Sequence, residues 1–326
     1  MIALLRAELL RIRSRRLTWV ALGLVLLIVA LTQIAVYTSV RPLTGAEEAQ
    51  ARTSYEQAVQ NYEQNKAQYE ADAQRCIEQG NPREMCAIPP PQLTDYAQRS
   101  VGTFAEVSNL ATTVSVLMTA LGLLILSASL VGADFSTGAL SNWLSFLPER
   151  TKVFFSKLLA AVLFGAVTTA VIGAVTLGLT VLMTTLGGAD VVGFGHAAAQ
   201  GARGILLGVV AVLVGFGIAM LTRHTIAAVG AVLAYLFLSF VYNILVFSVP
   251  AVQGLQRVLP ENHALSLLNH GHVYVSYDNR PSSDGTYQQM PVEHTITFAQ
   301  SSLYWVVVLG VLLGVAFVVF RRRDVN

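Results

Sequence analysis

The chain has 326 residues, 54% of them apolar and 12% charged, with a mean hydropathy of +0.58. Soluble domains carry about 25% charged residues; the shortfall here sits in several long apolar runs, which excludes an ordinary water-soluble enzyme and describes a polytopic membrane protein. The net charge of +2 hides a strong asymmetry along the chain. No G-x-x-x-x-G-K-[ST] stretch occurs, so the chain has no phosphate-binding loop of its own.

Residues 1–16, MIALLRAELLRIRSRR, place Ile2, Leu5, Leu9 and Ile12 at helical spacing on one face, with Arg6, Arg13 and Arg16 away from its centre. This predicts an amphipathic helix at the inner membrane surface, its arginines near anionic lipid headgroups. The other reading is the n-region of a cleaved signal peptide. The apolar run that follows, 17–37, is too long for that, and no A-x-A-like site closes it. Five more apolar runs lie at 109–131, 158–186, 204–222, 225–249 and 302–320. Each is long enough to cross a hydrocarbon core of about 30 Å as a helix.

The expected fold class is therefore all-α: a six-span polytopic membrane protein with an N-terminal amphipathic interfacial helix and an extracytoplasmic helical insert. Its expected divisions are 1–16, the interfacial helix; 17–38, the first span; 39–107, the insert; and 108–249, spans two to five with a polar loop at 133–157. An extracytoplasmic segment at 250–301 follows, then the sixth span and a basic tail at 302–326. Six spans put both termini on one side. That side carries 12 basic residues against four acids, and the other carries nine basic against fifteen acidic. The positive-inside rule makes the basic side the cytoplasm of a cell membrane.

Within the insert, 45–79 lacks internal Gly and Pro, and Tyr55, Tyr62 and Tyr69 recur every seven residues beside Ala51 and Ala58. A long helix is predicted, ending near Gly80-Asn81-Pro82. Its narrow Tyr/Ala stripe either rests on another helix or partner subunit or belongs to a mostly solvated helix. Cys76 and Cys86 straddle the helix end on the oxidising side, where a disulfide is expected. In 250–301, Val252, Leu255, Leu259, Leu265 and Leu268 suggest short amphipathic helices dipping into the outer interface. Residues 272–297 are compatible with a small hairpin around Ser282-Ser283-Asp284-Gly285.

His263, His270, His272 and His294 fall in that last segment. A metal site needs three or four converging ligands, so polar surface histidines are expected and no metal site. No predicted span contains Asp, Glu, Lys, Arg or His, which argues against an ion-driven transporter. The polar groups within the spans include Thr112, Thr113, Ser115 and Thr119 in the second and Ser239, Tyr242 and Asn243 in the fifth. They serve either as interhelical hydrogen bonds, worth about 0.6 kcal/mol each, or as a pathway for a large amphipathic molecule. Gly204/Gly208 and Gly310/Gly314 are G-x-x-x-G pairs, a pattern of little weight in spans this rich in glycine.

Residues 133–157 read ADFSTGALSNWLSFLPERTKVFFSK. Asp134, Gly138-Ala139-Leu140, Leu144, Pro148-Glu149-Arg150 and Lys157 together resemble the signature of ABC-2 type permeases, the membrane subunits of a large class of ABC exporters. The resemblance extends over nearly the whole chain: the basic amphipathic N-terminus, six spans with both ends inside, and the C-terminal FRRRDV. Departures are Asp134 where Glu is common, Ala139 for Thr, and an unusually long insert.

The resemblance implies that the loop forms a coupling helix seated in a cleft of a separate ATPase, with Asp134, Phe135, Gly138, Leu140, Trp143, Leu144, Phe146, Pro148, Arg150 and Lys157 as its residues. Arg223 would make a smaller second contact. In this reading Asp134 caps a helix start, Gly138 permits a bend, and Pro148 ends the helix. Trp143, Leu144 and Phe146 give an apolar face that needs a partner. The chain itself would bind no cofactor; ATP and Mg would belong to two ATPase subunits. A second permease copy or homologue and membrane lipid complete the expected partners, with no nucleic acid. An amphipathic cargo (antibiotic, peptide or lipid-like) is implied. The alternative is a non-transport sensor or scaffold, its outer helix binding a ligand and its cytoplasmic loop a signalling partner.

Overall fold

Inside a bilayer, backbone N–H and C=O groups find no water, so long apolar runs must bond within themselves as helices. A computed structural model of the chain describes residues 2–78, 86, 88–97, 103–146, 149–246, 250–281 and 287–322. Among them six helices are long and apolar enough to cross a membrane: α2 (Arg16–Val40), α5 (Phe104–Ser136), α7 (Arg150–Leu186), α8 (Phe194–Thr222), α9 (Thr225–Leu245) and α12 (Phe298–Arg322). Each contains one of the six apolar runs or most of it. The helices run past the runs wherever capping or packing supports more turns. A Thr103/Glu106 capping box starts α5, for example, five residues ahead of its apolar run. The remaining elements are α1 (Ile2–Ser14), α3 (Gly45–Glu78), α4 (Leu93–Ala97), α6 (Ala139–Phe146), α10 (Pro250–Gln253), a 3₁₀ turn (Gly254–Val258), α11 (Pro260–Asn269), and strands β1 (Gly271–Pro281) and β2 (Tyr287–Thr297).

Helix α8 runs through the middle of the bundle and packs on α5, α7, α9, α11 and α12. Its core contacts include Phe216 and Met220, which meet Leu123 and Val131 of α5, Phe154 of α7 and Phe320 of α12. Phe154 is the hub of this cluster, with ring centroids 5.4 Å from Phe216 and 5.2 Å from Phe317. Close approach of α8 depends on small residues. A side chain at Gly204 would strike Val116 of α5, and one at Gly208 would strike Thr169 of α7. This G-x-x-x-G pair is therefore a packing feature, against its low weight in the sequence, whereas Gly310 and Gly314 face open space. Sequence alone could not separate them, because both pairs have the same spacing and only one faces a neighbouring helix.

The hydroxyls of the second span lie inside the bundle. Thr112, Ser115 and Thr119 are buried. Ser115 meets Thr176 of α7 at 2.8 Å, and Thr119 donates to the Ser115 carbonyl. On α7, Thr169, Thr176, Thr180 and Thr184 each donate to the carbonyl four residues back. Thr180 also donates to the buried amide oxygen of Gln33 on α2 at 3.2 Å.

On the side away from the basic end, α3 and the return segment 88–97 pack together. Tyr55 lies on Tyr96 with centroids 6.1 Å apart, and the Tyr62 hydroxyl donates to the Ile88 carbonyl. Two of the three stripe tyrosines thus meet the chain's own return, and Tyr69 lies against Tyr62. Cys76 and Cys86 form a disulfide with Cα atoms 5.6 Å apart. At the start of α3, the Thr44 backbone N–H and Arg41 guanidinium hold the Glu47 carboxyl down at about 2. The predicted helix end at Gly80-Asn81-Pro82 lies outside the described residues.

The segment after α9 returns into the bundle. Helix α11 packs its Ala264 and Leu268 against Val116, Ala120, Leu207 and Ala211, well inside α5 and α8. At its start, Glu261 accepts hydrogen bonds from Ser239, at 2.6 Å, and from Tyr235, which lies at the middle of α9. That is about 15 Å below the end of α9 at 1.5 Å per residue. At its other end Asn269 meets Gln200, near the start of α8. So α10, the 3₁₀ turn and α11 form a re-entrant excursion, deeper than the interfacial dip read from the sequence. The following β1–β2 pair is antiparallel, from Gly271↔Thr297 to Pro281↔Tyr287. Its expected turn, Ser282-Ser283-Asp284-Gly285, falls outside the described residues.

Candidate coupling site on the basic face

Helix α6 has the composition of a short surface helix, ALSNWLSF, between two long spans. Gly138 makes the turn into it, with φ +64, a left-handed conformation that a side chain resists. Asp134 is not at a helix start. It lies in the last turn of α5, where a carboxylate meets carbonyl ends rather than free N–H groups, so it cannot cap as the sequence reading proposed. It needs cations instead, and the fold supplies three.

Lys157 of α7 places Nζ 2.6 Å from Asp134 Oδ2 and 2.6 Å from Glu8 Oε1 of α1. Arg11 pairs with the other Asp134 oxygen, and Arg15 stands 3.6 Å from it while donating to the Ser129 carbonyl. The side chains of Lys157, Glu8 and Asp134 are only 6%, 9% and 5% exposed. Two carboxylates and one ammonium are thus withdrawn from solvent where α1, α5 and α7 converge, with the Arg11 and Arg15 side chains 27% and 23% exposed beside them. Desolvating them is costly, and mutual pairing offsets the cost only while every partner is present. A cavity of about 20 Å³ lies beside them, bounded by Ile12, Ser127, Val131 and Phe216, room for a single water molecule.

The other residues of the loop attach α6 to this centre. Leu140 is buried in the main core, with Phe135 packed against it. Lys157 sits over the half-buried Trp143 ring at 5.7 Å. Arg223, ending α8 with φ +61, lies over the Phe135 ring at 5.5 Å. Arg150 donates to the Arg321 carbonyl at 3.1 Å, a cation at the C-terminus of α12. Asn142 is exposed. Pro148 and the side chains of Leu144 and Phe146 lie outside the described residues. The structure therefore brings Asp134, Phe135, Leu140, Trp143, Lys157 and Arg223 together around one short helix, most of them facing inward.

The family model described as "ABC-2 family transporter protein" matches residues 2–325. This chain belongs to the ABC-2 transporter family. As a family member it is a membrane permease of an ABC transporter, a class of component that in general works with an ABC ATPase. No curated protein and no solved structure matches the chain significantly.

Three functional candidates escaped the sequence reading of this ABC-2 permease. Glu8 was the sole acid in an arginine-rich stretch and shares a helical face with Ile12, which was the available signal. Gln33 and Gln200 were submerged in long helices. Buried Gln200 reaches Asn109 at 2.6 Å and Asn269 at 2.7 Å, tying α5, α8 and α11 together at their far ends. Ser239, Tyr242 and Asn243 lie on the C-terminal half of α9 near the re-entrant segment, apart from Thr112, Ser115 and Thr119 in the bundle interior. The two predicted polar groups thus occupy separate regions. Among the described residues no group of three or more His, Cys, Asp or Glu could hold a metal.

Proposed function

We propose that this permease exports an amphipathic molecule across the cell membrane, its basic face cytoplasmic, driven by two separate ATPase subunits and paired with a second permease copy or homologue. The observation that carries the coupling step is the Lys157 centre. Because one ammonium binds Asp134 and Glu8 while covering Trp143, a push on α6 is delivered at once to α5, α7 and α1. Packed elements of this kind shift between discrete arrangements rather than deforming smoothly. Closure of ATP-loaded ATPases against α6 would then switch the spans between inward- and outward-facing states, with Arg223 as a smaller second contact. ATP and Mg belong to the ATPases. The basic asymmetry of the chain supports the orientation, and exposed Arg13 on α1 suits anionic headgroups.

A photo-reactive p-benzoylphenylalanine at exposed position 142 tests the docking. In membranes holding the permease and its ATPase, illumination is expected to give an adduct of the two chains. No adduct, with the permease present at normal levels, would contradict docking through α6.

A further inference from the structure

Far from the coupling centre, the re-entrant segment, the outer end of α9 and β1 enclose a cavity of about 280 Å³. Its lining includes Tyr242 and Asn243 of α9, Glu261 of α11, and Tyr274 and Tyr277 of β1. Sequence reading put no ionisable group in the spans; the fold brings one to mid-span from a loop. Glu261 accepts hydrogen bonds from the neutral hydroxyls of Tyr235 and Ser239. Among the described residues no Lys, Arg or His forms an ion pair with it. A half-buried acid with no cation among the described residues, in a chamber with three tyrosines, has the chemistry of a counter-ion inside an aromatic box. The volume lies at the lower bound of whole-ligand pockets, about 300 Å³, and has room for a headgroup.

We infer that this cavity binds an organic cation, the protonated or quaternary amine at the head of an amphipathic molecule, with Glu261 as counter-ion and Tyr242, Tyr274 and Tyr277 as its aromatic walls. Calling the occupant cargo rests on the export reading; binding itself does not.

The test uses the full chain in nanodiscs of phosphatidylglycerol, titrated calorimetrically with hexyltrimethylammonium, hexyl sulfate and hexanol. Saturable one-to-one binding of the cation alone is expected. Glu261→Gln should weaken it by about tenfold or more, and Glu261→Asp should retain most of it. Because Glu261→Gln also replaces one of the two accepting oxygens with an NH2 donor, Tyr274→Leu provides a second variant, expected to weaken binding about fivefold through loss of one aromatic wall. Repeating the titration at fixed anionic charge, with the phosphatidylglycerol diluted first by an amine-free neutral glycolipid and then equally by phosphatidylethanolamine, separates the sources. A weaker apparent affinity in the phosphatidylethanolamine discs identifies a lipid amine as competitor, and an unchanged affinity identifies a free amphiphile; either supports an amine site. Equal binding of hexyl sulfate, or full affinity in both Glu261→Gln and Tyr274→Leu, would overturn the inference. Neither result touches ATPase association, which tests the permease reading separately.

Discussion

Lys157→Met is expected to lower the unfolding free energy by about 3–5 kcal/mol, the range for breaking a buried ion pair by removing one partner. The side chain spans the gap between Glu8 and Asp134, and all three are nearly inaccessible to water. Without the ammonium, Asp134 keeps Arg11 and Arg15, but Glu8 is left buried with no described ion-pair partner. Trp143 also loses its cation, so α6 loosens in the same step. Unfolding of the purified permease in mixed micelles by increasing dodecyl sulfate measures the change. Adding Glu8→Gln to Lys157→Met should recover a large part of the loss, because a neutral amide costs less to bury than an unpaired carboxylate. Wild-type stability for Lys157→Met alone would mean that the centre is solvated and carries no coupling strain between α1, α5 and α7.

Gly215→Val is expected to destabilise the bundle by about 3 kcal/mol, the upper end for overpacking. A Cβ at this position would overlap the Leu124 carbonyl and the Ser127 hydroxyl of α5. The carbonyl belongs to the backbone of a packed helix and cannot swing aside, so α5 and α8 must separate. Their contact places Phe216 and Met220 in the main core, and the separation would spread there. Gly310→Val on α12 is the control, since nothing lies within 4 Å of a Cβ built there. The same dodecyl sulfate titration should show a large shift for the first variant and a shift near zero for the second.

The spans were legible because lipid imposes one solution on a long apolar run. The disulfide and hairpin were legible from local chemistry. The loop 133–157 was legible as a motif, yet the role of its charges was not. Asp134 and Lys157 lie 23 positions apart, and Glu8 lies 149 positions from Lys157. Their convergence depends on how α1, α5 and α7 pack, which no local pattern reports. Glu261 was hidden for the converse reason. It sits in a polar segment that looks like a surface loop, and only the re-entrant path carries it to Tyr235 and Ser239.

The most direct measurement is affinity purification of the tagged permease from native membranes, followed by ATPase assay of the eluate. The account predicts that a chain carrying the G-x-x-x-x-G-K-[ST] loop, missing from this sequence, co-elutes with it and hydrolyses ATP, and that Lys157→Met changes the hydrolysis rate. An eluate with intact permease and no ATP-hydrolysing subunit would contradict the account.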